Sequence, residues 1–181
     1  MTSQLRVDRI SPANTSEIII DGFSSDQPSF FTEMDGGNQI VSNNVATKVI
    51  LGRTSSKNVD TANILDSDGA ATITADTAGI WRFSGQVNGT YVSSSCHLDK
   101  VFAQLFRNGS IITDEGSDSY IEKGGPFGLK AFVATVSLIT EVFVGDKIEL
   151  YGTVKYASSG TASELQIAMR STNFAGNRIS S

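Results

Sequence analysis

The side chains best suited to covalent chemistry are Cys96 and His97, the single cysteine and the single histidine of the chain. A thiolate and an imidazole can act as nucleophile and base when the two side chains meet. These residues are adjacent, however, and neighbouring side chains of an extended segment point to opposite faces. A zinc site would need several such ligands. The sequence therefore predicts a small buried thiol beside a turn histidine, with no catalytic dyad and no metal centre.

Four acidic residues lie close together further along the chain: Asp114, Glu115, Asp118 and Glu122. Carboxylate oxygens on a flexible loop can hold a hard cation such as Ca²⁺, but the spacing of an EF-hand is absent. A solvated loop is the alternative, and we favour it because most runs of charge are solvated. Binding of a cation stays open at this point.

The segment from Lys123 to Gly128 is rich in glycine, and we expect it to continue this region as a loop with the side chain of Phe127 exposed. Loops on a rigid β scaffold often make the contacts of a protein. We therefore predict contacts with partners from five residues of these loops, namely Asp114, Glu115, Asp118, Lys123 and Phe127.

Motifs of the common enzyme classes are absent, including the G-x-S-x-G nucleophile turn and a phosphate-binding glycine loop. Paired carboxylates for glycoside cleavage could come from distant strands, but one tryptophan and an aromatic share of 8% argue against a long sugar-binding cleft. The sequence predicts a protein that is not an enzyme, with no catalytic residues, cofactor or metal.

The composition limits the class of protein further. The chain has 181 residues, of which 39% are hydrophobic and 18% are charged, so it is too apolar for disorder and long enough for one globular domain. A net charge of -5 provides no basic surface for nucleic acid. A single cysteine forms no internal disulfide, so packing, assembly or both must hold the fold. Without a signal peptide or an apolar span, we expect a soluble product of the cytosol that does not insert into membranes.

The stretch from about residue 46 alternates apolar and polar residues in the manner of half-buried strands. Trp81, Phe83 and Val87 share one face of such a strand, and Asn108-Gly109 is a hairpin signal because both residues tolerate positive φ. About eight strands without a helical stripe predict an all-β fold, an antiparallel two-sheet jelly-roll sandwich. The expected strands cover residues 47–51, 71–75, 80–87, 101–106, 111–112, 131–144, 148–156 and 165–170, and a polar tail is expected from Ser171.

The first part of the chain differs from this pattern. Its apolar runs are each too short to close a core, and Phe30-Phe31 lies in loop-type sequence. We predict an extended N-terminal arm over residues 1–45 and a head over residues 46–181. The arm could fold back onto its own domain or dock on another subunit or protein, and we favour docking because isolated apolar runs need an outside surface.

Two ordered motifs of the head are informative: Gly79-Ile80-Trp81-Arg82-Phe83 after a short strand, and Gly145-Asp146 between two late strands. With the Asn108-Gly109 hairpin between them, they resemble C1q/TNF-like domains over about residues 46–175. The resemblance implies a jelly roll that assembles as a compact homotrimer, with one sheet of each subunit facing the threefold axis. The closing strand departs from the family, because Ile167-Ala168-Met169-Arg170 replaces its aromatic-Ser-Gly-aromatic signature.

The segment Ser3 to Pro12, followed by Ile18-Ile19-Ile20, is similar to the opening of structural proteins of tailed bacteriophages, especially those of cyanobacteria. In those proteins such an arm attaches a fibre or knob to the virion. The resemblance implies attachment to other virion proteins of the capsid or tail through Leu5, Val7, Ile10, Ile18, Ile19 and Ile20.

Together the two resemblances imply a virion structural protein made in the host cytoplasm. The first hypothesis is a trimeric tail-fibre or knob protein whose head binds a glycan or protein of the host surface. The alternative is a capsid decoration or cement protein that stabilises the head shell.

Overall fold

The computed structural model describes residues 27–52, 58–91, 98–113, 131–156 and 165–180. Within these ranges the chain forms twelve strands and no helix. The strands are β1 Ser29–Glu33, β2 Gln39–Val41, β3 Thr47–Lys48, β4 Val59–Asp60, β5 Ala71–Thr72, β6 Gly79–Tyr91, β7 Leu98–Arg107, β8 Ser110–Ile111, β9 Ala131–Val142, β10 Lys147–Tyr156, β11 Leu165–Ile167 and β12 Asn173–Ser180.

The first sheet has seven strands, and β6 is its long central strand. Strand β9 pairs along one edge of β6, from Gly79↔Val142 to Thr90↔Ala131. The other edge of β6 pairs with β12 and then with β11. Beyond these, β1 pairs with β12, β2 pairs with β11, and β4 pairs with β1. All of these pairings are antiparallel.

The second sheet has five strands around β10. Strands β3 and β5 pair with one edge of β10, β7 pairs with the other edge, and β8 pairs with β7. The predicted hairpin between β7 and β8 is confirmed, because Asn108 has φ 52 and Gly109 has φ 80. Two antiparallel sheets also confirm the prediction of an all-β sandwich.

The core lies between the sheets because the strands alternate as predicted. Trp81, Phe83 and Val87 of β6 are fully buried, and Val87 lies beside Gly152 of β10. The sheets approach closely at Gly85, where an added Cβ would lie 2.4 Å from Leu150 Cδ1. Burial of such side chains supplies roughly 25 cal/mol for each Å² of apolar surface removed from water.

Strands β1 and β2 fall within residues 29–41, which the sequence analysis assigns to the arm. Strand β1 pairs with β12 over its full length, and Phe30 is 3% exposed in the core. Thr32 fills the other core position of β1 and donates a hydrogen bond to the carbonyl of Gly52. A strand with one large apolar residue facing the core gives only a weak periodic signal. The strands of the head therefore reach back into the predicted arm, whose residues 1–26 lie outside the described residues.

The prediction of a polar tail after Ser171 is wrong. Residues Asn173–Ser180 form β12, which lies between β6 and β1 in the first sheet. Phe174 is fully buried, but the next core position is Gly176, where an added Cβ would lie 2.5 Å from a ring atom of Phe30. The aromatic ring fills the space of the missing side chain, so the hydrophobic alternation of β12 is hidden in the sequence.

Candidate functional site

The residues that the sequence singles out for chemistry or contact lie outside the described residues. This holds for Leu5, Val7, Ile10, Ile18, Ile19, Ile20, Cys96, His97, Asp114, Glu115, Asp118, Glu122, Lys123 and Phe127. Within the described ranges, no group of three or more His, Cys, Asp or Glu side chains could hold a metal ion. The same ranges contain no helix long and apolar enough to cross a membrane.

The outward face of the first sheet, opposite the core, has small side chains at its centre. Ser84 of β6 lies opposite Ser137 of β9 on one side and Ala175 of β12 on the other. Phe31 of β1 continues the same row, opposite Ala175. We call the outward positions of β1, β6, β9 and β12 the small-residue face.

Exposed aliphatic side chains surround this centre. Ile139 is 61% exposed, Ile80 is 41% exposed and Val133 is 38% exposed. The charged side chains of the small-residue face are Glu33, Arg82 and Glu141. Exposed apolar groups with few charges are typical of surfaces that meet another protein.

A groove of about 660 Å³ runs over strands β6 and β9 of this face. Its polar lining comes from Arg82, Ser84, Gln86, Thr135, Ser137 and Asn173, and the segment after β8 adds Ile112 and Thr113. Gln86 is held in place because its amide donates a hydrogen bond of 2.7 Å to the carbonyl of Ser171. Among the described residues, the groove is lined by these neutral polar side chains, by the apolar Ile112, Val136 and Leu138, and by the cation Arg82.

The outward face of the second sheet has a different character, because its charges are paired within the chain. The Lys48 ammonium lies 2.6 Å from an oxygen of Asp68 and 2.7 Å from an oxygen of Glu149. Beside them, the rings of Phe106 and Tyr151 stack with 3.9 Å between centroids. Lys147–Asp66 and Lys155–Asp99 add ion pairs of 2.8 and 3.2 Å. A charged surface whose ion pairs form within the chain is typical of a surface in contact with water.

The electrostatics of this charged cluster follow from its geometry. Burial is the largest single influence on both Lys48 and Asp68 and opposes their charges. Their mutual hydrogen bond, further hydrogen bonds and the attraction of opposite charges together outweigh it, so the pKa of Lys48 is raised and the pKa of Asp68 is lowered. Glu149 also contributes to the raised pKa of Lys48, and the backbone N–H of Ala70 helps to lower that of Asp68. The cluster therefore fixes the strand β3 to β10 with ionised groups at neutral pH.

Arg107 joins the two sheets at the end of the sandwich near the β9–β10 turn. Its Nη2 donates hydrogen bonds to Thr140 Oγ1 at 2.9 Å and to the carbonyl of Glu141 at 2.7 Å, both on β9. Its Nε lies 3.7 Å from a carboxylate oxygen of Asp146. Asp146 in turn accepts hydrogen bonds from Asn108 Nδ2 and from the N–H of Phe143. These bonds hold β9 in a fixed position relative to the second sheet.

The core face of β6 could be predicted from the sequence, whereas the opposite face of the strand was not among the predicted contact surfaces. The signal lay in the polar positions of β6 and β9, which are mostly Ser, Thr, Gln and Asn where a solvent-facing strand usually has Lys or Glu. Ala175 could not add to this signal, because β12 was not recognised as a strand.

The fold has counterparts among solved structures of TNF and C1q heads. Eiger TNF from S. frugiperda has a TM-score of 0.53 at 11% identity, covering 84% of this chain and 92% of that chain. The globular domain of zebrafish complement 1qA protein has a TM-score of 0.53 at 13% identity, and the match covers 84% of this chain and 97% of that chain. Murine APRIL, crystallised at pH 8.5, has a TM-score of 0.52 at 12% identity, and the match covers 84% of this chain and 99% of that chain. The prediction of a C1q/TNF-like jelly-roll head is therefore confirmed as a fold.

The comparisons at the level of sequence give no relative. No protein-family model matches the chain, and no curated protein matches it in sequence.

Proposed function

We propose that this chain is a non-enzymatic structural protein that works as a homotrimer, with the small-residue face of each subunit buried against its neighbours. The contrast between the two outward faces carries this proposal. One face has paired charges around Lys48, whereas the other has Ser84, Ser137 and Ala175 at its centre. Small neutral side chains let another surface approach closely, and their hydroxyl groups leave water at little cost when they form hydrogen bonds across the interface.

The position of β9 supports a ring of subunits. Among the described strands, β9 pairs with β6 alone, so it forms an edge of the first sheet. Its exposed Ile139 projects from the small-residue face close to that edge. When the edge of one subunit contacts the face of the next, the contact is heterologous, and it closes into a ring if the rotation is right. Three subunits are the number that the resemblance to C1q/TNF-like domains implies.

Assembly also provides stability that a disulfide cannot provide in a chain with one cysteine. Permanent subunit interfaces bury about 2,000 Å² or more. Any burial that requires the folded subunit stabilises that subunit by mass action. We therefore expect the unfolding temperature of the protein to rise with its concentration.

The role of this trimer is to form part of a phage virion, as a tail-fibre or knob protein that displays the head for host-surface binding. The resemblance of Ser3 to Pro12 and Ile18-Ile19-Ile20 to phage attachment arms supports this role. A capsid decoration or cement protein is the second candidate, because the chain has no long shaft between the arm and the head.

Deletion of residues 1–22 tests the attachment role. We expect the shortened chain to stay a soluble trimer and to lose its place on the particle. Particles that still incorporate the shortened chain would contradict the role of the arm. A full-length chain that is monomeric by light scattering would contradict the trimer.

Particles that lack the protein separate the two candidates. Normal particles that fail to adsorb to cells would support the knob and exclude the cement role. Particles that adsorb normally but lose their DNA at lower temperature would support the cement role and exclude the knob. Imaging of labelled particles would give the same answer through the position of the protein on the tail or on the capsid.

A further inference from the structure

Two opposite charges lie near each other on the small-residue face. Arg82 of β6 is opposite Ile139, and Glu141 of β9 is opposite Ile80. The two side chains therefore point to the same side of the sheet at diagonal positions. Both residues are exposed. Neither side chain forms a hydrogen bond or an ion pair with another described residue.

Three lysines of the described chain, by contrast, form ion pairs with carboxylates of the same chain. Lys48, Lys147 and Lys155 all contact carboxylates within 3.2 Å. Arg82 instead lines the groove beside neutral side chains such as Ser84 and Gln86. Its guanidinium carries five donors, and no described residue accepts a hydrogen bond from them.

Burial of the face makes such a partner necessary. A charge that leaves water without a counter-charge costs several kcal/mol, which would oppose assembly. A planar guanidinium binds a carboxylate through two parallel hydrogen bonds and so recovers much of that cost. Glu141 of the same chain forms no described ion pair with Arg82, so an interface formed by the small-residue face needs a carboxylate in contact with each Arg82.

We propose that Arg82 of each subunit binds Glu141 of the partner subunit, so that every interface of the ring contains this ion pair. The inference rests on the proposed trimer and names a pair that joins its subunits. Glu141 is the suitable carboxylate because β9 forms an edge of the sheet, whereas Arg82 lies on β6 between β9 and β12. An edge of one subunit can reach the face of the next. Glu33, the other carboxylate of the face, already has an interaction within its own chain.

The Arg82–Glu141 pair would set the direction of the ring. Each subunit offers Arg82 from its face and Glu141 from its edge, so head-to-tail contact pairs opposite charges at every interface. If the small-residue faces of two subunits met face to face, Arg82 and Glu141 could pair only in a different register. Charge complementarity of this kind contributes mainly to specificity, since wrong pairings place like charges together.

A charge-exchange series in the full-length chain tests the inference by sedimentation equilibrium over a range of concentrations. The variants are Arg82→Glu, Glu141→Arg and the double variant. The matched controls are Lys155→Glu, on β10 of the second sheet, and Asp76→Arg, in the turn before β6. We expect each single variant to raise the concentration at which the trimer dissociates by at least about tenfold. The double variant should return to within about threefold of the native chain, and the controls should not change.

The outcomes separate this inference from the proposed trimer. A native chain that is monomeric would contradict both. A native trimer whose single variants dissociate like the controls, or whose double variant stays as weak as the single variants, would overturn the ion pair and leave the trimer in place. Repeating the series with inorganic phosphate adds a further check. A trimer that forms only with phosphate and is equally stable in Glu141→Arg would also overturn the pair, because Arg82 would then bind an anion.

Discussion

The ring of Phe30 packs edge-on against the ring of Phe174, with 4.9 Å between the two centroids. The two residues come from the first and the last strand of the described chain, which pair antiparallel. Trp81 and Phe83 extend this cluster, with 5.6 Å between their stacked rings. The cluster closes the core beneath the first sheet, so the segment around Phe30 is a part of the head that the core depends on.

Replacement of Phe30 by Ala should lower the free energy of unfolding by about 3–5 kcal/mol, because the change leaves a cavity among three other aromatic rings. For a chain of this size that corresponds to a fall in Tm of roughly 10 °C. Thermal and urea unfolding followed by circular dichroism would measure it. Val59→Ala, at a half-exposed position, is the control. A loss for Phe30→Ala no larger than that of the control would contradict the assignment of β1 to the core.

Two truncations should behave very differently. Removal of residues 1–26 keeps every described strand, so we expect a cooperative unfolding transition to remain. Removal of residues 1–45 deletes β1 and β2, uncovers Phe174 and leaves β11 and β12 without their outer partners. That chain should be insoluble or lack a cooperative transition. A well-folded chain without residues 1–45 would show that the arm boundary expected from the sequence is correct.

Arg107→Leu should lower the free energy of unfolding by about 1–3 kcal/mol, since it removes two hydrogen bonds from a charged donor between the sheets. The free energy of unfolding of Arg107→Lys should lie between those of the native chain and Arg107→Leu, because an ammonium keeps the charge but not the planar set of donors. Urea midpoints with unchanged m-values would provide the comparison. Equal stability of all three chains would show that Arg107 does not hold the sheets together.

The Lys48–Asp68 pair should make stability depend on pH at acid values. The pKa of Asp68 is lowered in the fold, so its contribution is present above the unfolded value of about 3.9 and is lost as the pH falls through the folded value. The raised pKa of Lys48 removes its contribution only above about pH 10.4. The side chain of Asp68 is 39% exposed, so solvent weakens the pair to about 1 kcal/mol or less.

Asp68→Asn should therefore lower Tm by up to about 2–4 °C between roughly pH 5 and pH 9, and the difference should shrink as the pH falls below about 4. Differential scanning calorimetry of both chains across this range would measure it. A constant difference down to pH 2 would mean that Asp68 acts through packing and not through its charge.

Much of the sandwich could be predicted from local pattern. The long strands β6 and β9 alternate clearly, because each buries one face along more than ten residues. The Asn108-Gly109 hairpin could be predicted because few other residues tolerate its backbone angles. Strands β1 and β12 could not be predicted, because their core positions include Thr32 and Gly176. The burial of these two residues depends on contacts from distant parts of the chain.

The position of the small-residue face could not be predicted from the sequence for a similar reason. Ser84, Ser137 and Ala175 come from three strands, and their proximity depends on the register of β6 with β9 and β12. Each of these residues alone is an ordinary polar or small position of a strand. The register is fixed by the packing of the core on the opposite side of the sheet, and that packing is a property of the whole fold.

Sedimentation equilibrium of the native chain and of Ser84→Arg tests the central claim most directly. The guanidinium would stand in the middle of the small-residue face, and Gln104→Arg on the outward face of β7 is the matched control. We predict about 58 kDa, three times the 19.2 kDa chain, for the native protein and for the control. For Ser84→Arg we predict a folded monomer of about 19 kDa. A monomeric native chain, or a Ser84→Arg variant that stays trimeric, would contradict assembly through this face.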